Sequence, residues 1–198
     1  MSRPTYSPQE QARHLQTIAR RLNGIEGLYA EVAGVLAEMD RGYADVAGHF
    51  GFSCQGCEES CCRTVFYHHT YAEFLMLIHG LDTLSGPDRE DLYARAAATQ
   101  AAIDSAPVDQ SAGSPRSMCP INVAGRCELY AYRPMICRLH GIPHELRRPD
   151  GRVIGGPGCH QFDTLSGGGS SLRLDRTPHY QRLAQLEQGL RRHIEAPM

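Results

Sequence analysis

The sequence contains no lysine, and all twenty of its basic residues are arginine. A mechanism that uses a lysine nucleophile or a Schiff base is therefore excluded. The chain also lacks a charge excess, since its formal net charge is -2 at pH 7. This near-neutral balance gives no reason to expect a nucleic-acid partner or an anionic membrane surface.

Long apolar runs are absent as well. The longest, Phe74–Ile78, is far shorter than the roughly 20 residues of a membrane-spanning helix. The N-terminal residues MSRPTYSPQEQARH lack the apolar centre of a secretory signal. We therefore expect a cytoplasmic protein that does not bind a membrane. Motifs of P-loop, dinucleotide-binding, H-E-x-x-H and Ser/His/Asp enzymes are also missing.

Cysteine, in contrast, is abundant: eight residues in a chain of 198. A chain of this length, 41% hydrophobic, buries enough apolar surface to fold without covalent staples. In the reducing cytoplasm a dense cysteine pattern indicates a metal site more often than disulfides. Four disulfides in an oxidising compartment, or cysteines buried as small apolar residues, are the alternatives.

The cysteines fall into a front cluster and a back set. The front cluster is Cys54, Cys57, Cys61 and Cys62, and the back set is Cys119, Cys127, Cys137 and Cys159. The turn inside a C-x2-C unit brings two sulfurs to the same side. Four thiolates are the usual complement of tetrahedral zinc or of an iron–sulfur cluster. Eight thiols therefore suffice for two such sites, or for one site and a remainder.

The adjacent pair Cys61-Cys62 is the most informative detail of the pattern. Neighbouring side chains point to opposite faces of an extended segment, and they diverge by about 100° in a helical turn. Two adjacent cysteines are therefore poorly oriented to bind the same mononuclear ion. The pair favours a polynuclear cluster or two nearby ions.

Other polar residues near the cysteines have two interpretations each. Arginines at four positions can donate hydrogen bonds to thiolates or simply face solvent: Arg63, Arg126, Arg133 and Arg138. Four histidines are candidate ligands or hydrogen-bond donors, and His160 is the best placed because it adjoins Cys159: His68, His69, His140 and His160. Glu58 and Glu59 could ligate or remain solvated.

The runs CQGCEESCC and CPINVAGRCELYAYRPMICR, followed by Gly158-Cys159, resemble the YkgJ-type cysteine-cluster proteins, a CxxCxxCC domain family described as zinc- or iron-chelating. The resemblance covers about residues 52–162, and all eight cysteines match in order. It implies that all eight are metal ligands. One departure is that Glu58, Glu59 and Ser60 place three residues before the CC pair, where the family usually has two. The family also has a distant relation to flagellin lysine methylases, but no glycine-rich loop for S-adenosylmethionine is visible.

We expect three segments: an amphipathic helical segment 1–48, a cysteine-cluster domain 49–165, and a Gly/Ser linker with a final helix, 166–198. The sequence pattern of the first segment predicts one helix from Ser7 to about Arg41. The low helix propensity of Gly24 and Gly27 favours a break between them. This helix has two possible roles: one wall of the protein's own core, or a contact with a protein partner or a second copy. Its apolar residues recur at heptad spacing: Leu15, Ile18, Leu22, Ile25, Tyr29, Val32, Leu36 and Met39.

Local signals predict the remaining elements. They are helices at Tyr71–Leu81, Pro87–Asp104, Pro134–Arg138 and Pro178–Ile194, a hairpin turning near Gly125, and a second turn at Asp150-Gly151. The fold expected is mainly α, with a helical framework around a compact cysteine-rich core of loops and short hairpins. The function expected is metal chelation, in which the thiolates bind zinc ions or an iron–sulfur cluster. A redox or protein-modifying enzyme and a zinc-stabilised interaction adaptor are the alternatives.

Overall fold

A computed structural model describes residues 8–23, 25, 27–54, 61–63, 70–105, 117–167 and 172–195. Most of these residues are helical, which confirms the mainly α class. The helices are α1 (Pro8–Asn23), α2 (Leu28–His49), α3 (Tyr71–Thr83), α4 (Gly86–Ser105), α5 (Met135–Arg138), α6 (His160–Ser166) and α7 (Thr177–Glu195). The strands are β1 (Asn122–Val123), β2 (Arg126–Cys127), β3 (His144–Arg147), β4 (Val153–Gly156) and β5 (Leu174–Asp175).

The long N-terminal helix of the prediction is two helices in the structure. The break falls at the predicted place: α1 ends at Asn23, and Gly27 immediately before α2 has φ +76°. This left-handed conformation is readily adopted by glycine and rarely by other residues. The second helix then continues to His49, beyond the predicted end near Arg41.

The heptad residues of these helices lie mainly in the chain's own core. Five of the eight are buried: Ile18, Leu22, Val32, Leu36 and Met39. They contribute to one hydrophobic cluster in which α1, α2, α3 and α7 pack against one another. Helices of the predicted first, second and third segments thus share a core. Leu15 and Tyr29 are the exposed members of the seam, and a contact with another chain stays a prediction.

Two small sheets complete the fold. In the first, β1 pairs antiparallel with β2, and Asn122 lies opposite Cys127. In the second the order is β4-β3-β5, with β4 antiparallel and β5 parallel to β3. Both predicted turns are confirmed, since Gly125 has φ +82° and Gly151 has φ +83°.

The other predicted helices are confirmed within two residues at either end, as α3, α4, α5 and α7. Helix α6 and strand β5 were not predicted. Most of the predicted connection at 105–117, and residues 168–171 of the Gly/Ser linker, lie outside the described residues. In the part of the chain that the structure describes, no helix has both the length and the apolar character of a membrane span.

Candidate metal centre

The structure places the side chains of six of the eight predicted ligands. Cys57 lies outside the described residues, and only the backbone of Cys61 is described. That backbone belongs to a single 3-10 turn, Cys61–Arg63. None of the six described thiols forms a disulfide: Cys54, Cys62, Cys119, Cys127, Cys137 and Cys159. Of these, Cys137 lies exposed on α5.

Three thiols come together around the β1–β2 hairpin, and we call Cys62, Cys119 and Cys127 the hairpin thiols. The Cys119 amide donates a hydrogen bond to the Cys62 carbonyl at 2.7 Å, which joins the front cluster to the back set. Cys119 precedes β1 and Cys127 ends β2. The two-residue turn has φ +51° at Ala124 and φ +82° at Gly125, as a tight hairpin requires. All three thiols are partly buried.

Burial raises the pKa of Cys119 and of Cys127 above the usual thiol value. Hydrogen bonds from backbone amides act in the opposite direction: Ile121 and Asn122 lower the pKa of Cys119, and Leu129 lowers that of Cys127. The neighbouring thiols raise the pKa of both residues, since like charges repel. Amides aimed at sulfur are the kind of support that metal-bound thiolates receive in proteins.

Helix α4 holds the hairpin from the outside through Arg95. Its Nε donates to the Pro120 carbonyl at 2.9 Å. Its Nη2 forms an ion pair with Glu128. Because Pro120 follows Cys119 and Glu128 follows Cys127, one arginine fixes the backbone beside both cysteines. No signal in the sequence marked this residue, since it lies on a helix outside both runs of cysteines.

Two other thiols, Cys54 and Cys159, act electrostatically on Tyr43, and we call them the Tyr43 thiols. A Cβ atom on Gly141 would lie 3.7 Å from Cys159 Sγ and 3.8 Å from Tyr43 Oη. Gly141 itself has φ +99°, and its carbonyl accepts a hydrogen bond from the Cys159 amide at 3.0 Å. Because these are ordinary van der Waals distances, the positive φ, and not a lack of space, favours glycine at this position.

Aromatic packing brings Cys54 to this place. Phe52, two residues earlier, contacts the ring of Phe162 with a centroid distance of 5.2 Å. Phe162 is fully buried on α6, which begins immediately after Cys159. The Phe52 ring also lies 3.8 Å from the Cβ position of Gly141. The edge-to-face contact therefore joins the chain before Cys54 to the chain after Cys159.

Tyr43 titrates above the usual range of a phenol. Burial, together with the nearby Cys54 and Cys159 thiols, raises its pKa to about 12, while Arg133 acts to lower it. The hydroxyl is therefore protonated at neutral pH and available as a hydrogen-bond donor. Tyr43 was not among the predicted site residues because it lies on α2, before the predicted cysteine domain.

Arg133 lies within electrostatic range of Cys127 and of Tyr43. It lowers the pKa of Cys127 and that of Tyr43. Its guanidinium stacks on the Tyr130 ring, 3.8 Å from the centroid, and donates to Asp40 Oδ1 at 3.0 Å. A fixed positive charge near the thiols favours their thiolate form.

The second arginine of this segment, Arg138, is 4% exposed. It pairs with Asp40, and it donates to the Arg133 carbonyl at 2.8 Å and to the Ala131 carbonyl. Burial lowers the pKa of Arg138, and Asp40 opposes this effect. Arg138 thus braces the backbone between Cys127 and Cys137 against α2. The predicted arginines Arg63 and Arg126, in contrast, are exposed.

The histidine candidates differ in their surroundings. His160 is exposed at the start of α6, and His140 is partly buried between α5 and β3. Burial lowers the pKa of His140, and the nearby Arg176 lowers it further. His68 and His69, like Glu58 and Glu59, lie outside the described residues.

His144 gives a prediction for acid stability. Burial lowers its pKa from the usual 6.5, Arg176, Arg173 and His140 lower it further, and the Ile142 carbonyl opposes them. The unfolded chain therefore takes up a proton near pH 6.5 that the folded chain binds only at lower pH. The stability contributed by neutral His144 is present above pH 6.5 and is lost as the pH falls through the folded pKa.

We expect the melting temperature to fall between pH 7.5 and pH 5.5, and to fall less in the variant His144→Gln. Thermal melts followed by circular dichroism at the two pH values measure this. The matched control is His193→Gln, at an exposed position on α7. An equal pH dependence in His144→Gln and the wild type would contradict the prediction.

The donor chemistry of the thiol groups fits zinc or iron, because both bind sulfur. Within the described ranges, no group of three or more His, Cys, Asp or Glu side chains is arranged to hold a metal ion. Those ranges leave out Cys57 and the side chain of Cys61, two of the eight predicted ligands.

A shallow surface depression of about 440 Å3 lies beside β4, and none of the residues that line it is a cysteine. Its walls are Glu145, Val153, Gly155, Gly156, Pro157 and Arg173. None of these residues belongs to the predicted site.

Comparison with known proteins finds no match to the chain among family models, curated proteins or solved structures. The assignment of function therefore depends on the residues themselves.

Proposed function

We propose that this chain is a metal-binding protein of the cysteine-cluster type, whose thiolates chelate zinc ions or an iron–sulfur cluster. The observation that carries the proposal is the meeting of the hairpin thiols. Cys62 comes from the front cluster, and Cys119 and Cys127 come from the back set, more than fifty residues later. Thiols brought close to one another from distant parts of the chain support the proposal, because thiolates are the ligands that zinc and iron–sulfur clusters bind.

Three local features support this proposal. Backbone amides donate to the sulfurs of Cys119 and Cys127. The charge of Arg133 offsets part of the negative charge that several thiolates accumulate. Arg95 fixes the hairpin from the opposite side. Together they provide a rigid frame for ligands, which metal binding requires.

The ligands proposed are all eight cysteines, as the resemblance to YkgJ-type proteins implies: Cys54, Cys57, Cys61, Cys62, Cys119, Cys127, Cys137 and Cys159. Bound zinc would cross-link the front cluster to the back set, and an iron–sulfur cluster would in addition carry electrons. In either case the thiols must lose their protons, so metal binding releases protons.

Anaerobic purification with elemental analysis and a visible absorption spectrum tests the proposal. We expect zinc or iron in at least equimolar amount, retained after passage over a chelating resin that removes adsorbed metal. A brown protein with iron and sulfide indicates a cluster, whereas a colourless protein with zinc indicates zinc thiolates, because Zn2+ is d10. A protein without either metal would overturn the proposal.

A further inference from the structure

We infer that strand β4 is an interface between two copies of this chain, whose β4 strands pair antiparallel and join two three-stranded sheets into one. Strand β4 lies at one end of the order β4-β3-β5, and among the described residues no strand lies on its outer side. The unpaired amides and carbonyls of such an edge can bind another strand. This interface does not depend on the proposed metal site.

The hydrogen bonds of the sheet show which backbone groups of β4 point outward. The Arg148 amide donates to the Arg152 carbonyl at 2.8 Å, so these residues form a hydrogen-bonded pair. Such pairs alternate with pairs that exchange no hydrogen bond, and Val153 and Gly155 belong to the second kind. Glu145, opposite Gly155, agrees with this, since its carbonyl accepts a hydrogen bond at 2.8 Å from the amide that follows β5. Val153 and Gly155 therefore present their backbone groups to the outer edge.

These two residues determine the register of two β4 strands related by a two-fold axis. If Val153 of each copy lies opposite Gly155 of the other, every outward amide and carbonyl has a partner. A shift in one direction brings Pro157, which has no N–H, opposite Val153. A shift in the other direction brings Gly151, which has φ +83° in the turn, opposite Gly155. One register therefore satisfies the whole edge.

The side chains of β4 complement one another in this register. On one face Ile154, 49% exposed, lies opposite Ile154 of the second copy, and Leu146 on β3 extends the apolar row at both ends. On the other face Val153, also 49% exposed, lies over Gly155 of the second copy, which has no side chain. Gly155 lines the depression beside β4, so Val153 of one copy occupies the depression of the other.

Charge complementarity selects the same register. On β3, Glu145 lies opposite Gly155. Arg147 lies opposite Val153 and points to the same face as Glu145. The register described places Arg147 of one copy in the same cross-strand row as Glu145 of the other, whereas either shifted register puts like charges in one row. These charges are three strand spacings apart, roughly 14 Å, so they favour the register more than the affinity.

Analytical ultracentrifugation of the full chain tests the interface. Because the paired strands are short, the interface is small and we expect a weak, reversible dimer. A species of twice the chain mass of 21.9 kDa should increase with concentration. The measurement should extend to about 0.5 mM, which covers weak association. A wild type that stays monomeric there, whether or not β4 binds a strand of another protein, would overturn the inference.

Variants of Ile154 test the register. Ile154→Arg and Ile154→Glu each place like charges directly opposite each other, so each variant alone should be monomeric. An equimolar mixture should form a mixed dimer at least about 10-fold tighter than either variant alone, since opposite charges then face each other. The control Tyr93→Arg, at an exposed position of α4, should dimerise like the wild type. A dimer that persists in both Ile154 variants, or a mixture that associates no better than its components, would overturn the inference.

Val153→Pro tests the backbone pairing. Because the Val153 N–H points outward, proline removes the hydrogen bond to the second copy and none to β3. We expect the dissociation constant of the dimer to rise about 10-fold or more. The matched control is Val153→Thr, which keeps the N–H and the β-branched shape, and circular dichroism verifies that both variants fold. Equal dissociation constants for the two variants would exclude pairing through β4.

Discussion

Replacing Glu73 with alanine is expected to lower the free energy of unfolding by about 3 kcal/mol. Glu73 is 3% exposed in the first turn of α3. Its carboxylate accepts a hydrogen bond from the Met135 amide at 2.9 Å and another from the Thr70 hydroxyl. In the variant both donors lose this partner, and each unsatisfied buried group costs about 1–3 kcal/mol.

Urea unfolding followed by circular dichroism measures this loss. Glu90→Ala, an exposed position on α4, is the matched control and should change the stability by less than about 0.5 kcal/mol. Hydrogen exchange gives a local readout, because the Met135 amide should exchange faster in Glu73→Ala. A variant as stable as Glu90→Ala would show that Glu73 does not connect α3 to α5.

A second buried carboxylate explains why this region is sensitive. Glu187 on α7, 7% exposed, accepts hydrogen bonds from the amides of Tyr71 at 2.7 Å and Ala72 at 3.3 Å. These are the first amides of α3, which have no partner inside the helix. Glu187 and Glu73 together fix the start of α3 to α7 and to α5, and α5 carries Cys137. The C-terminal helix therefore stabilises the frame of the candidate site.

Local chemistry made much of the fold predictable. Gly125 and Gly151 occupy turn positions with positive φ, and Pro134 precedes the short helix α5 as expected. The break at Gly27 follows from the same conformational preference. Strand β5 has two residues, too few for an alternating pattern, so its parallel pairing with β3 had no local signal.

Some residues of the candidate site could likewise be predicted from local sequence patterns, whereas others depend on contacts between residues far apart in the sequence. The cysteines could be predicted as ligands because thiols clustered at short spacings in a reducing compartment are typical of metal sites. Tyr43 and Arg95 could not, since a tyrosine or an arginine on an amphipathic helix is common and its partner lies far away in the sequence. Glu73 did have a signal: Thr70-x-x-Glu73 matches the capping-box pattern at the start of a helix.

The second large effect on stability is expected from replacing Asp40. Asp40→Ala is expected to lower the free energy of unfolding by about 2–3 kcal/mol, because it leaves the buried Arg138 without a counter-charge. Removal of one partner of a fully buried pair costs about 3–5 kcal/mol. The Asp40 side chain is 41% exposed, so water reaches the site and reduces this value.

The matched control is Asp82→Ala. Its ion pair with Arg89, at 3.4 Å, joins side chains that are 60% and 37% exposed, so its loss should cost no more than about 1 kcal/mol. Urea unfolding compares the two variants.

A double-mutant cycle with Arg138→Met separates the charge from the packing. If Asp40 acts by neutralising Arg138, the double variant should be less destabilised than the sum of the single variants by about 0.5–3 kcal/mol. Strict additivity would show that Asp40 acts through Arg133 alone, to which it also bonds at 3.0 Å.

The two outcomes have different consequences for the thiols of the candidate site. Arg138 braces the backbone that leads to Cys137, whereas Arg133 supplies the positive charge near Cys127 and Tyr43. The cycle therefore shows whether α2 supports the candidate site by holding its backbone or by fixing its charge.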